Sequence, residues 1–148
     1  MGIGSLVTGI RCRVGKAEVA LPLDEVGQIV EYPVFPLPLA RRWIGGLGLY
    51  QDRPLVSIAL ARVPDRARGQ ERAARGILLE ARGGAELDWA LEVDDLGAFV
   101  RATLVSKPAP AGLDLPSWIS QARDDEGRTL GWIDVTAMLA ELTSGEPR

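Results

Sequence analysis

The chain has 148 residues, one cysteine, no histidine, a formal net charge of −3 and 47% hydrophobic residues. That length and apolar content suit a single compact domain with a substantial core, and the acidic balance gives no general attraction to nucleic acid or to an anionic membrane. The lack of histidine removes Ser-His-Asp and Cys-His catalysis, the common zinc sites and the usual general base near neutral pH; one cysteine rules out an internal disulfide.

From the N-terminus, Met1 to Ser5 lacks the basic region of a signal peptide, and no apolar run approaches the ~20 residues that a membrane span requires. No membrane insertion is expected, and the cytoplasm is the expected location. Cys12 falls on the first strand, where it reads as a small buried apolar residue. Val19 to Leu23 is a nearly unbroken apolar run, and Val26, Ile29 and Val30 recur at spacings of three and four, as on a short helical turn capped by Asp24. Pro33, Pro36 and Pro38 predict an extended surface connection over Tyr32 to Leu39. Arg41 to Gly48 follows, with Trp43 and Ile44 to bury and Gly45, Gly46 and Gly48 to permit unusual backbone. After the turn signal Gln51-Asp52-Arg53-Pro54, Leu55 to Leu60 reads as a strand.

Arg62 to Gly76 is the strongest shift in composition, with five arginines against Asp65 and Glu71. It reads as a solvated connection, or as an arginine-rich contact for an acidic partner. Gly76 to Ala81 and Leu87 to Val93 read as strands joined at Gly83-Gly84, and Phe99 to Val105 as a further strand. Lys107 to Pro116, with Pro108, Pro110 and Pro116, predicts a loop before Trp118 and Ile119 return to apolar packing. Leu130 to Ile133 is a last strand, and Asp134 caps a helix from Val135 to Leu142 whose Val135, Met138, Leu139 and Leu142 share a face. Trp89 and Trp132 are expected in the core, Trp43 and Trp118 beside loops. This pattern predicts an all-β barrel or sandwich with one terminal helix.

Four blocks occur in a fixed order: Val26-Gly27-Gln28-Ile29, the Pro-rich Val34 to Pro38, Gly46-Leu47-Gly48-Leu49-Tyr50-Gln51-Asp52, and Val56-Ser57-Ile58-Ala59-Leu60. Leu91 to Leu96 and Leu130 to Leu139 follow. In order and spacing they resemble the CheW-like family of bacterial chemosensory adaptors, with its "V-x-E-I" segment, Pro-rich link, "G-(V/L)-x-N-L-R-G" turn and "P-V-x-D-L" strand. The resemblance spans roughly Leu6 to Leu142. It implies a mostly β fold of two small five-stranded SH3-like barrel subdomains with short helices and a C-terminal helix. A single domain over 5–143 is expected, with approximate halves 17–62 and 76–134, the Arg-rich link 62–76 between them and a tail at 144–148.

The same resemblance implies a non-enzymatic, cofactor-free adaptor of a two-component chemotaxis system. Its implied partners are the regulatory domain of a chemosensory histidine kinase and the cytoplasmic tip of a methyl-accepting chemoreceptor. Val26, Gln28, Ile29, Leu49 and Gln51 match the family's binding surface, and Trp43 is added as a candidate protein-binding aromatic. The resemblance is to a divergent member. The family's Glu is Gln28, its turn Asn, Arg and Gly are Leu49, Gln51 and Asp52, and its strand Asp is Ala59. Paired loss of Glu and Arg is physically coherent, because losing one member of a buried ion pair costs about 3–5 kcal/mol, whereas losing both can be neutral. Two functions stay open on this basis, a receptor–kinase coupler and an accessory adaptor that binds another pathway component.

Readings from other classes carry less. Glu92, Asp94 and Asp95 resemble a carboxylate cluster, but strand alternation makes them a solvated face ending in a turn. Asp124, Asp125 and Glu126 before Gly127 read as an acidic turn rather than a cation site. Gly2-Ile3-Gly4 follows no strand, so it builds no dinucleotide fingerprint. Gly45-Gly46-Leu47-Gly48 has the letters of an RNA-binding GXXG loop, which keeps an RNA-binding module as an alternative, alongside a small-ligand-binding β module.

Overall fold

A computed structural model describes residues 3–37, 43–60, 70–79, 87–106 and 117–143. Strand β1 (Leu6–Val14) turns into β2 (Ala17–Pro22), and a single 3-10 turn at Leu23–Glu25 precedes the long strand β3 (Val26–Phe35). Then come β4 (Ile44–Tyr50), β5 (Arg53–Ile58), β6 (Arg72–Leu79), β7 (Asp88–Glu92), β8 (Asp95–Ser106), β9 (Ile119–Asp124), β10 (Thr129–Ile133) and the helix α1 (Val135–Leu142).

The strands close into two five-stranded barrels. The first runs β1-β2-β10-β9-β8 and the second β3-β4-β5-β7-β6. Alternation along each strand supplies the two interiors. In the first barrel Val7, Ala20, Val100, Ala102, Leu104, Ala122, Leu130 and Trp132 meet inside. In the second, Val30, Tyr32, Val34, Leu55 and Ala90 do so, with Tyr50, Ala74 and Leu78 against them. Asp134 caps α1 by accepting a hydrogen bond from the Ala137 backbone N–H at 3.0 Å, as its position before the apolar face predicts.

The division of the chain differs from the expected halves. One compact unit takes residues 1–25 and 95–145, and the other takes 26–94 with 146–148. The N-terminal hairpin closes the first barrel with strands from the far end of the chain, β1 against β8 and β2 parallel to β10. Non-local pairing of this kind leaves no mark in local composition, so the Arg-rich segment is not a boundary. Residues 61–69 of that segment lie outside the described residues, as do 80–86 and 107–116, which hold the expected Gly83-Gly84 turn and Pro-rich loop. Arg72 to Gly76, read as solvated link, belong to β6.

Two further local expectations are corrected. The helical turn comes earlier, at Leu23–Glu25, and Val26, Ile29 and Val30 lie in β3. A register shift between Val26 and Ile29 against β6 explains the misleading spacing, since an extra residue in a strand breaks the period of two. Tyr32 to Phe35 are strand rather than surface connection, with Tyr32 and Val34 in the core. Pro33 is accommodated because it faces Ala73 of β6 while pairing with β4 begins only at Val34; a residue without an N–H is tolerated where a strand is paired on one side. Trp132 is core, but Trp89 is only half-buried, and Trp118 is buried.

Candidate interaction surface

All six candidate residues fall in the second barrel, and its register separates them into two groups. Val26, Gln28 and Ile29 open β3, where Gln28 and Ile29 are exposed. Leu49 and Gln51 lie at the other end of β4, at the tip of the β4–β5 hairpin. Because β3 and β4 are antiparallel, the start of β3 and the end of β4 lie toward the same end of the barrel. Ile29 and Leu49 are each 44% exposed. Trp43 stands apart, just ahead of β4 at the end remote from Gln51, half-buried and with a φ of 74°. Its carbonyl accepts the Ala59 N–H at 2.8 Å. Five of the six candidates thus cluster toward the hairpin end, and Trp43 does not.

The hairpin tip is a two-residue connection, because Tyr50 pairs with Arg53. Gln51 and Asp52 both have positive φ, 50° and 63°, as a type I′ turn demands. Aspartate tolerates this region better than most residues do, so Asp52 holds a left-handed position where the family motif has glycine.

Beneath this surface the barrel interior holds a polar network that strand patterning does not reveal. Arg72 of β6 and Glu92 of β7 form a bidentate ion pair, Nη1 to Oε1 at 2.6 Å and Nη2 to Oε2 at 2.8 Å. Ser57 of β5 donates to Glu92 Oε2 at 2.6 Å. With the serine proton committed there, the Tyr32 hydroxyl of β3 is the donor in its 2.8 Å bond to Ser57 Oγ. Arg72 Nη2 also approaches the Gly45 carbonyl of β4 at 3.5 Å. All five strands of the barrel contribute. Glu92, expected on a solvated face, is therefore an interior residue, because it shares the inward side of β7 with Ala90.

Glycines make room for the network. A Cβ at Gly76 would sit 2.5 Å from the Tyr32 hydroxyl, and one at Gly45 would sit 2.5 Å from Glu92 Oε2. Burial pushes the Tyr32 phenol up to about 12, and the Glu92 hydrogen bond raises the Arg72 guanidinium above its ordinary value. Tyr32 and Arg72 are thereby held protonated, and the network joins side chains of β3, β5, β6 and β7 to one another. Arg72 and Glu92 share no local signal, since they lie 20 residues apart and meet only through the β6–β7 register.

The other chemical candidates resolve similarly. Cys12 is buried, and its thiol is pushed up to about 12 by that burial. Asp124 ends β9 and accepts the backbone N–H groups of Glu126 and Arg128 at 2.9 and 2.8 Å, while Arg11 pairs with its carboxylate. Chiefly the Arg128 N–H, aided by Arg11, lowers its pKa. Gly45 to Gly48 lie within β4 and form no loop between helices. Among the described residues no three acidic or thiol groups come together to hold a metal ion, and no helix is long and apolar enough to cross a membrane.

Comparison with known proteins agrees with this architecture. The model of the CheW-like domain matches residues 8–143. Among solved structures, the scaffolding protein TtCheW from Thermoanaerobacter tengcongensis superposes with a TM-score of 0.58 over 88% of this chain and 90% of that one, at 14% identity. No curated protein matches by sequence. Two closed five-stranded barrels, the hairpin in its expected place and a family match over nearly the whole length identify the chain as a member of the CheW-like domain family, the scaffolds and adaptors of chemotaxis.

Proposed function

We propose that this chemotaxis adaptor works in the cytoplasm, without enzymatic activity, and couples the regulatory domain of a chemosensory histidine kinase to the cytoplasmic tip of a methyl-accepting receptor. The observation that carries the reading is the exposure of Ile29 and Leu49 at the positions that match the family's binding surface, with a two-residue hairpin at Gln51 and Asp52. An adaptor acts by holding partners in a register through which a change in one reaches the other. The polar network suits that task, since it ties the five strands under the surface to one another.

The test is calorimetric titration of the purified chain with the kinase regulatory domain of its own genome. Saturable micromolar binding is expected, and Ile29→Asp should abolish it while leaving the fold intact. Unchanged binding by that variant would count against the reading.

A second reading is favoured by the chemistry of the same surface. Gln28 and Gln51 are neutral where the family motif carries Glu and Arg, which suits an accessory adaptor that joins a different pathway component. Gln28→Glu with Gln51→Arg separates the two. A gain of kinase binding indicates loss of the original contact, and no gain indicates a rebuilt surface.

A further inference from the structure

The outer face of the first barrel carries an exposed apolar patch flanked by arginines. Register places Leu6, Thr8 and Ile10 of β1 beside Thr103, Arg101 and Phe99 of β8, and Thr103 beside Arg123 of β9. The opposite side chains of these strands, Val7, Val100, Ala102, Leu104 and Ala122, fill the barrel interior. The patch therefore faces away from the core by strand alternation. Phe99 is 70% exposed and Leu6 57%. Ile3, just before β1, is exposed as well.

The cations of this face are uncompensated. Arg101 and Arg123 are exposed, and neither forms an ion pair among the described residues. Of the carboxylates nearest in sequence, Asp124 is committed to Arg11 and backbone N–H groups, Glu126 to Arg128 and Asp95 to Arg13, while Asp125 lies in the turn after β9 and pairs with neither arginine of the patch. Between Phe99 and Thr103 on β8, and on β9, the outward positions carry no acid; the one outward acid of β8, Asp95, lies at the strand's start and pairs with Arg13. A chain of net charge −3 thus presents two free guanidinium groups around an exposed phenylalanine.

We propose that this face of β1, β8 and β9 is a second docking surface, and that its occupant is an acidic protein segment with an apolar anchor. Aromatic and arginine side chains are the types that dominate interface energetics. Guanidinium groups recognise carboxylates through forked donors, and complementary charge steers encounter and fixes orientation. The inference rests on the adaptor reading only in supposing that the chain binds protein; it needs none of the residues around the β4–β5 hairpin.

The experiment uses the full chain, isotope-labelled for NMR, and a synthetic amphipathic peptide with leucines on one face and glutamates on the other. Saturating shifts are expected at the amides of Phe99, Arg101, Thr103 and Arg123. Binding should weaken roughly tenfold or more in Phe99→Ser and in the double variant Arg101→Glu/Arg123→Glu. A counterpart peptide with lysines in place of the glutamates should prefer the charge-reversed variant. Both variants alter exposed side chains only, and unchanged melting temperatures will establish that they fold. Absent shifts on this face, or binding indifferent to charge reversal, overturns the proposal. So does capture by phosphatidylglycerol vesicles in place of the peptide, or a concentration-dependent dimer that Phe99→Ser removes. Ile29→Asp should leave peptide binding unchanged, so failure of the kinase titration and failure of this surface are read independently.

Discussion

Replacing Glu92 by alanine leaves the Arg72 guanidinium without its carboxylate and the Ser57 hydroxyl without its acceptor, inside a barrel where Ser57 is fully buried. Removing one member of a fully buried pair costs about 3–5 kcal/mol. Arg72 and Glu92 side chains keep 21% and 15% exposure, so water reaches the stranded cation, and the expected loss is about 2–4 kcal/mol. The double variant Arg72→Ala/Glu92→Ala removes the stranded charge, so it should cost less than the sum of its singles by about 1–3 kcal/mol. With two barrels in one chain, a single global unfolding energy is not guaranteed. Native-state amide exchange avoids that difficulty by reading each barrel separately. Ile77 and Leu91, paired between β6 and β7, report on the second barrel, and Val7 and Ala102, paired between β1 and β8, are the internal reference. Exchange at the first pair should accelerate roughly 30- to 1,000-fold in Glu92→Ala. Unchanged protection there, or single effects that simply add in the double variant, would refute the reasoning.

Three other outcomes follow from the same geometry. Cys12, buried and with its thiol held at about 12, should resist a thiol-reactive dye in the folded chain and react only after denaturant is added. Asp124 has a folded pKa below its ordinary 3.8, so its contribution to stability is present above that value and is lost as pH falls toward the folded one. Melting temperatures of Asp124→Asn should accordingly be lower than wild type near neutrality and flatter through the acid range. Asp52→Gly relieves left-handed strain that is modest for an aspartate, about 1 kcal/mol at most, and gives back about 0.4–1 kcal/mol of unfolded-state entropy, so urea denaturation should show a net change within about 0.5 kcal/mol.

What was legible in the sequence is what depends on neighbours in the chain. The burial of Cys12, Val19 and Leu21, the hairpin at Gln51-Asp52, the last strand and the Asp134-capped helix all follow from local pattern, and the structure agrees. The failures share one cause, which is that register across distant strands decides them. A bulge opposite β6 gave Val26, Ile29 and Val30 a helical spacing inside a strand. Pro33 suggested a surface connection because one-sided pairing cannot be read from a proline. Glu92 read as solvated until Ser57 and Arg72, from β5 and β6, came to meet it.

These observations bear on how an adaptor surface can diverge. The hairpin tip keeps positive φ at two successive residues although neither is glycine, so its shape is set by the β4–β5 register and the barrel behind it. That barrel is stiffened by an internal ion pair whose members contribute nothing to the hairpin's outer chemistry. Surface letters can then change, as Gln28, Leu49 and Gln51 have relative to the family motif, without moving the backbone that presents them. Gln28 and Gln51 are both exposed, and charges at exposed positions contribute only about 0–1 kcal/mol as an ion pair, so the fold loses little when glutamines stand there. A fold secured from within can tolerate changed chemistry at its rim, and the exposed glutamines at 28 and 51 are such changes relative to the family motif.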